Sequence, residues 1–311
     1  MRIQGRVGFS TKPLVSGAGR LCGLLLVVIS FLGVVSPEQA SAIGDAARGR
    51  IVFALAAGCG CHTSAEGPVG AGGGEVETPF GKFYGPNITP DQTTGIGGWT
   101  DAEVDAAIRN GITRSGSAES AAMPYPAYAG MTDEDVADLT AFLRSLPAVL
   151  RVNRRAEGEL PMAHVAYRVW RWLFFRPGPR LVRAPTMGIE RGRYLVDHVS
   201  LCADCHTPRT RLGVADGARY LAGAAHGPGG DPVPNITPHK TGIDDWDIDD
   251  IVNILTYGRL PDFDNVQGAM AEVVDGHAGG PGYKDAPAGD RRAIAEYLKT
   301  IPPIDNKIED K

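Results

Sequence analysis

The stretch Leu201-Cys202-Ala203-Asp204-Cys205-His206-Thr207 constrains this chain more than any other. Two thiols three positions apart, followed at once by an imidazole, make the pattern for covalent haem attachment. The thiols add to the two haem vinyl groups as thioethers, and the histidine comes to lie beneath the iron as its proximal ligand. A zinc site that starts from Cys-x-x-Cys needs a second pair of Cys or His ligands at similar spacing. A thioredoxin-like pair needs a βαβ context and has no obligatory histidine after it. The chain offers neither. A domain built around such a cofactor takes much of its core from it and can be made of short helices and long loops. The 41 Gly, the 23 Pro and an aromatic content of only 7% fit that economy.

A weaker copy lies upstream, Gly58-Cys59-Gly60-Cys61-His62-Thr63. It reads Cys-x-Cys-His, one residue short. Cys61 and His62 still stand side by side, so one thioether and a proximal ligand are available. Whether Cys59 reaches the other vinyl is open. Gly58 and Gly60 give the backbone there unusual freedom.

The two motifs belong to an internal repeat. Asn87-Ile88-Thr89-Pro90 recurs as Asn235-Ile236-Thr237-Pro238, and Thr94-Gly95-Ile96 with Trp99 recurs as Thr241-Gly242-Ile243 with Trp246. The offsets are 144 for His62 and His206, 148 for the Asn-Ile-Thr-Pro runs and 147 for the tryptophans. The expected fold is therefore all-α: two tandem cytochrome c-like domains, over 43–150 and 188–311, joined by an Arg- and aromatic-rich connector over 151–187. In each, a short apolar helix precedes the attachment motif. A second helix follows Thr100 or Asp247, both good N-caps. A terminal helix, with apolar residues such as Val136, Leu139, Phe142, Leu143 and Leu146 at helical spacing, ends at a proline.

A six-coordinate c-type iron needs a second axial group, often methionine. Met123 and Met270 are 147 apart, in register with the tryptophans, and follow their histidines by 61 and 64 residues. They are the expected distal ligands of His62 and His206. Met131, eight residues after Met123, is the competitor in the first repeat and has no counterpart in the second. A methionine is more often core filler than ligand; register with the repeat reverses that here. Trp99 and Trp246 are expected either to line the haem or to be plain core. Asn87 and Asn235 could donate into the haem environment or hold a turn. His164, His198, His226, His239 and His277 have no partners in register and read as surface or core residues. No carboxylate pair, Ser/His/Asp set or phosphate loop stands out.

Residues 1–42 read as an export signal. Arg2, Arg6, Lys12 and Arg20 precede a 15-residue apolar run from Leu21 to Val35, too short to span a bilayer comfortably. Ala40-Ser41-Ala42 is a cleavage site of A-x-A type, so the mature chain is expected to begin at Ile43 in the periplasm. Cys22 is expected to leave with the signal. Its removal takes four of 31 basic residues and one of 36 acidic ones, leaving 27 against 35 and a net charge of −8. An acidic chain excludes the basic face that nucleic acid requires. The four cysteines that remain all fall in the two haem motifs, so no disulfide framework is left over.

The connector carries Arg151, Arg154, Arg155, Arg168, Arg171, Arg176, Arg180 and Arg183 against Glu157 and Glu159, interleaved with Tyr167, Trp170, Trp172, Phe174 and Phe175. It is expected to pack its aromatics across both domains. Residues 151–183 could also dock onto an acidic partner or a membrane surface, where apolar anchors and basic flanks cooperate.

Taken together, the motifs resemble the dihaem cytochrome c family, in particular the cytochrome c subunits of bacterial periplasmic alcohol and gluconate dehydrogenases. The resemblance rests on Pro86-Asn87-Ile88-Thr89-Pro90-Asp91, the run from Trp170 to Pro177, Arg191-Gly192-Arg193-Tyr194-Leu195-Val196, the run from Cys202 to Arg209, and Gly268-Ala269-Met270-Ala271-Glu272-Val273-Val274. It covers nearly all of the chain after residue 42. It implies two covalently bound haem c groups, through Cys59, Cys61, Cys202 and Cys205, with irons held by His62 and Met123 and by His206 and Met270. It also implies a carrier without catalysis of its own, which takes electrons from a periplasmic dehydrogenase and passes them to a cytochrome c or terminal oxidase. The rival is a dihaem enzyme of peroxidase or thiosulfate-oxidising type, which would need one iron open or labile. Two departures from the family pattern stand out. The first motif is short, and the alcohol dehydrogenase subunits often carry a third haem domain and a membrane-associating tail where this chain stops after two.

Overall fold

Each attachment motif follows a helix that is pressed against the last helix of its own repeat. Helix α1 (Ala46–Leu55) is started by Asp45, whose carboxylate accepts the Arg48 N–H at 2.9 Å. It crosses α4 (Asp133–Ser145). In the second repeat α6 (Gly188–His198) crosses α10 (Ala288–Leu298) in the same way. A glycine makes each crossing possible. A β-carbon on Gly49 would lie 1.9 Å from the Asp138 carbonyl oxygen, and one on Gly192 would lie 1.9 Å from that of Ala293. An ion pair ties each crossing, Arg48 Nε to Asp138 Oδ2 at 2.6 Å and Arg191 Nε to Asp290 Oδ1 at 2.8 Å.

This is a computed structural model. It describes residues 43–309 apart from 79–80, 121, 159–161, 179 and 228–229. The expected export segment, its cleavage point, Cys22 and Glu159 lie outside those residues.

Between the outer helices run α2 (Asp101–Asn110) and its counterpart α8 (Ile248–Tyr257). Thr100 and Asp247 cap them as the sequence predicts, each in a reciprocal capping box, with Glu103 and Asp250 respectively. Both end on a left-handed glycine, Gly111 (φ 58°) and Gly258 (φ 65°), where a side chain would be strained. The short α3 (Tyr125–Tyr128) follows Met123, α7 (Cys202–His206) is the second attachment motif, and Met270 sits on α9 (Gly268–Asp275).

One hydrophobic core runs through both repeats, from Phe53 and Leu55 through Leu139 and Phe142 to Tyr194, Leu195, Ile294 and Ile301. Contacts hold the described residues together as one unit, with no break near 150 or 187. The fold is mostly helical, with one departure from the all-α expectation. Strands β1 (Glu75–Thr78) and β2 (Gly81–Tyr84) pair antiparallel as a small ribbon, with Val76 opposite Phe83. Alternation of Val76 and Phe83 with polar neighbours is the strand pattern, hidden in the sequence by the glycine-rich run before it.

Helix α5 (Ala163–Phe174) lies in the connector and touches both repeats. Its Trp170 meets Tyr125 edge-on, and the following Phe175 does the same at 5.1 Å. Trp170 Nε1 also donates to the Leu212 carbonyl at 2.7 Å. Among the described residues no helix is long and apolar enough to cross a membrane.

Candidate haem site

The cysteines and histidines of both motifs open into one continuous cavity of about 1410 Å3. Met123, Met270, Trp99 and Trp246 line it too. Pockets for a single drug-sized ligand run to roughly 1,000 Å3, so this one is larger than one small molecule requires.

The backbone turns into each motif through the left-handed region. In the second repeat only Leu201 (φ 54°) does so. In the first, Ala57 (φ 52°), Gly58 (φ 61°) and Cys59 (φ 45°) do so in succession. The shortened motif thus replaces a missing residue by a tighter turn, which brings Cys59, Cys61 and His62 to the cavity wall along with their counterparts. Strain at non-glycine positions of this kind persists only where the surroundings hold it.

The two histidines are held alike. His62 Nδ1 lies 2.8 Å from the Pro86 carbonyl, and His206 Nδ1 lies 2.8 Å from the Pro234 carbonyl. A carbonyl only accepts, so the proton sits on Nδ1 and the Nε2 lone pair is left for a metal. Burial pushes both imidazoles below the ordinary histidine range, against a smaller opposite push from the proline carbonyls. Both rings are therefore neutral near pH 7, as ligation requires. Burial likewise pushes the Cys59, Cys202 and Cys205 thiols up to about 12 and that of Cys61 to about 11.

Asn87 and Asn235 hold the loops that carry those proline carbonyls. Asn87 Nδ2 donates to the Val149 carbonyl at 2.7 Å, and Asn235 Nδ2 to that of Ile304 at 2.8 Å. Their Oδ1 atoms accept from Thr89 and Thr237, backbone and hydroxyl both. All four polar functions are used within the protein, so these residues are turn clamps, and the alternative of donation to haem is set aside.

The two attachment segments adjoin each other. The charge of Asp204 acts on Cys61 of one as well as on Cys205 of the other. Tyr128 and Tyr283, both buried, lie near enough to influence one another, and the Tyr283 hydroxyl donates to the Ser200 carbonyl. From the second repeat, His277 closes over the first motif: a β-carbon on Gly60 would lie 2.0 Å from its Nε2. Met131 is fully buried in the core and is not part of the cavity wall, whereas Met123 is.

Thiol pairs, imidazoles with free Nε2 atoms and thioethers in one apolar cavity form a donor set that fits haem c. Thioethers are weak ligands that most metal sites do not use, whereas haem iron does. The comparisons agree. A family described as Cytochrome c matches residues 46–147. A diheme cytochrome c-type protein of Cereibacter sphaeroides is 39% identical over 84% of this chain and 88% of its own length. This chain belongs to the c-type cytochromes.

Two further relatives are dehydrogenase components. The cytochrome c subunit of the quinone alcohol dehydrogenase of Gluconacetobacter polyoxogenes is 37% identical over 86% of this cytochrome and 58% of itself. The gluconate 2-dehydrogenase cytochrome c subunit of Pantoea cypripedii is 33% identical over 90% of this cytochrome and 64% of itself. The cytochrome thus spans little more than half the length of the alcohol dehydrogenase subunit.

Sequence reasoning overlooked Tyr128, Tyr283 and Glu119 on the cavity wall, and read His164 and His277, which also line it, as plain surface or core residues. His277 carries no signal, because its role is to meet the other repeat. Glu119 could have been found by comparing positions 147 apart.

Proposed function

We propose that this cytochrome is an exported two-centre electron carrier. Two haem c groups are attached, one at Cys59 and Cys61 and the other at Cys202 and Cys205. His62 and Met123 would hold one iron, His206 and Met270 the other. When bound, each haem supplies reversible one-electron chemistry at iron. The protein keeps the imidazoles neutral, presents a methionine from the facing loop or helix, and walls the cavity with apolar side chains. Two saturated irons favour transfer over substrate chemistry, and a methionine ligand raises the potential. The observation that carries this reading is the matched pair of proline-bound histidines, each sharing the cavity with an in-register methionine.

Residues 43–150 and 188–311 would each serve one haem, with 1–42 removed on export to the periplasm. The electron donor would be a dehydrogenase, as the names of the relatives suggest, and the acceptor another cytochrome or a terminal oxidase. The intact mass of the protein purified from the periplasm under denaturing conditions tests this. A chain beginning at Ile43 with two haem masses is expected; a single haem mass would sink the two-centre reading.

The outer face of α5 is the docking surface we assign to the dehydrogenase. Val165, Val169, Trp172 and Leu173 are exposed on it, Trp172 to 74%, while the inner face is also aromatic. An exposed apolar patch of this kind calls for cover. The connector's basic residues are all arginine, with no lysine between 151 and 187. Arginine with tryptophan and methionine is the composition of protein interfaces, where lysine is depleted. Several guanidiniums are fixed in place, such as that of Arg176 on the Trp172 and Phe175 carbonyls. Their charge complements an acidic rim on the partner. The double variant Val169→Glu, Trp172→Glu is expected to slow haem reduction by the dehydrogenase about tenfold or more, with an unchanged spectrum, in stopped-flow mixing. Unaltered reduction, with loss of binding to phosphatidylglycerol vesicles instead, would assign the face to a membrane.

A further inference from the structure

At one matched position of the cavity wall the two repeats differ in chemical character, not only in size. Each carries the same loop after its second helix. Ile112 bridges Ala118 antiparallel in the first, and Arg259 bridges Asn265 in the second. The next residue closes both loops alike: Glu119 N–H donates to the Gly111 carbonyl at 2.9 Å, and Val266 N–H to the Gly258 carbonyl at 2.8 Å. Glu119 and Val266 are 147 apart, the offset of Met123 and Met270, and both line the cavity four residues before the methionine. One repeat thus has a carboxyl where the other has a hydrocarbon.

The Glu119 side chain has no hydrogen bond or ion pair with any described residue, unlike nearly every other buried carboxyl here. Burial alone pushes it up to about 7. Charged and titratable groups surround it on three elements. Tyr125, which opens α3, has a buried hydroxyl without a partner among the described residues, and burial raises it to about 12. Arg171 of α5 donates Nε to the Asn110 carbonyl at 2.7 Å. His164 and Tyr167 of α5 line the same cavity, and Glu75 of β1 is paired with Lys82 at 2.5 Å.

We infer that Glu119 is a redox-linked proton acceptor for the first centre alone, an inference that rests on the haem reading above. A carboxylate in an apolar wall favours the more positive ferric state, and the ferric state favours the carboxylate in turn. When one electron arrives at the first centre from the donor protein, the Glu119 carboxylate takes up one proton from water. When the electron leaves for the acceptor, the proton returns. The second centre has Val266 in that place, and the carboxyls that the second repeat does bring to the wall, Asp204 and Glu272, are paired with Arg209 and His277.

The sign follows. Well below the window Glu119 is protonated in both redox states and the potential is flat. Through the window the potential of the first centre falls as pH rises, by at most 59 mV for each tenfold change in proton activity. Above it the potential is flat again at a lower level.

The test is a spectroelectrochemical titration of the purified dihaem protein from pH 5 to 9. The first centre is identified as the one whose spectrum changes in Met123→Ala. The wild type is expected to show the fall near neutral pH at the first centre and none at the second. Glu119→Gln should hold the first centre at its low-pH level throughout, and Val266→Glu should give the second centre a fall of its own. Glu119→Val, the residue of the other repeat, serves in place of Glu119→Gln if that variant does not load haem. A first centre that keeps the full wild-type slope without the carboxyl, or a second centre that stays flat in Val266→Glu, overturns the inference. Failure of the haem reading is distinguishable, because the intact mass would then show no haem on the first motif.

Discussion

The protein with Cys202 and Cys205 both replaced by serine is expected to carry one covalent haem and to lose its fixed tertiary structure throughout. On the two-haem reading the haem groups would fill the central cavity, and its walls could not close without them. The cavity measures about 1410 Å3. Counting a third of that as void, at about 24 cal/mol per Å3, gives a cost on the order of 11 kcal/mol. Total stabilities are about 5–15 kcal/mol, so the cost is comparable to the whole. Because Leu195 and Ile294 share one core with Phe53 and Phe142, the loss should spread to the first repeat. Near-ultraviolet circular dichroism and limited proteolysis of the variant provide the check. A single-haem protein that kept native side-chain signals and a sharp melting transition would show the repeats to be independent.

Met270→Ala is expected to remove one of two sulfur-to-iron charge-transfer bands, halving the near-infrared absorption. The potential of that centre should fall, since the methionine ligand is what raises it. The opened iron should then bind small ligands, and slow turnover of peroxide would appear where the wild type shows none. Met123→Ala should do the same at the other centre. Met131→Ala provides the contrast. Its side chain is fully buried and outside the cavity, so the spectrum should stay intact while stability drops by about 2–5 kcal/mol. If neither Met123→Ala nor Met270→Ala alters the spectrum, the carrier reading fails and the enzymatic alternative takes its place.

Much of this was legible in the sequence, because the relevant signals are local. A Cys-x-x-Cys-His run declares its own chemistry, and capping residues such as Thr100 and Asp247 declare helix starts with their neighbours alone. A repeat also supplies its own control: register favours Met123 over Met131, and of the two only Met123 lines the cavity. What stayed hidden is what depends on the two repeats meeting. The requirement for glycine at 60 comes from His277, more than two hundred residues away. Asn87 could be read as a haem donor until Val149 was seen to take its amide. The β1–β2 ribbon was lost among glycines, where propensity says little.

The shared core has a consequence for how such a carrier would behave in changing surroundings. In many two-centre proteins the centres sit on separate domains, and their separation follows the linker, the salt and the crowding. Here the attachment segments lie within one continuous core, and the charge of Asp204 acts on both Cys61 and Cys205. On the two-haem reading, passage between the centres would be a unimolecular step, indifferent to dilution. Ionic strength, which screens charge over about 8–10 Å at physiological levels, would act on the encounter at the arginine-rich face and leave the internal hop alone.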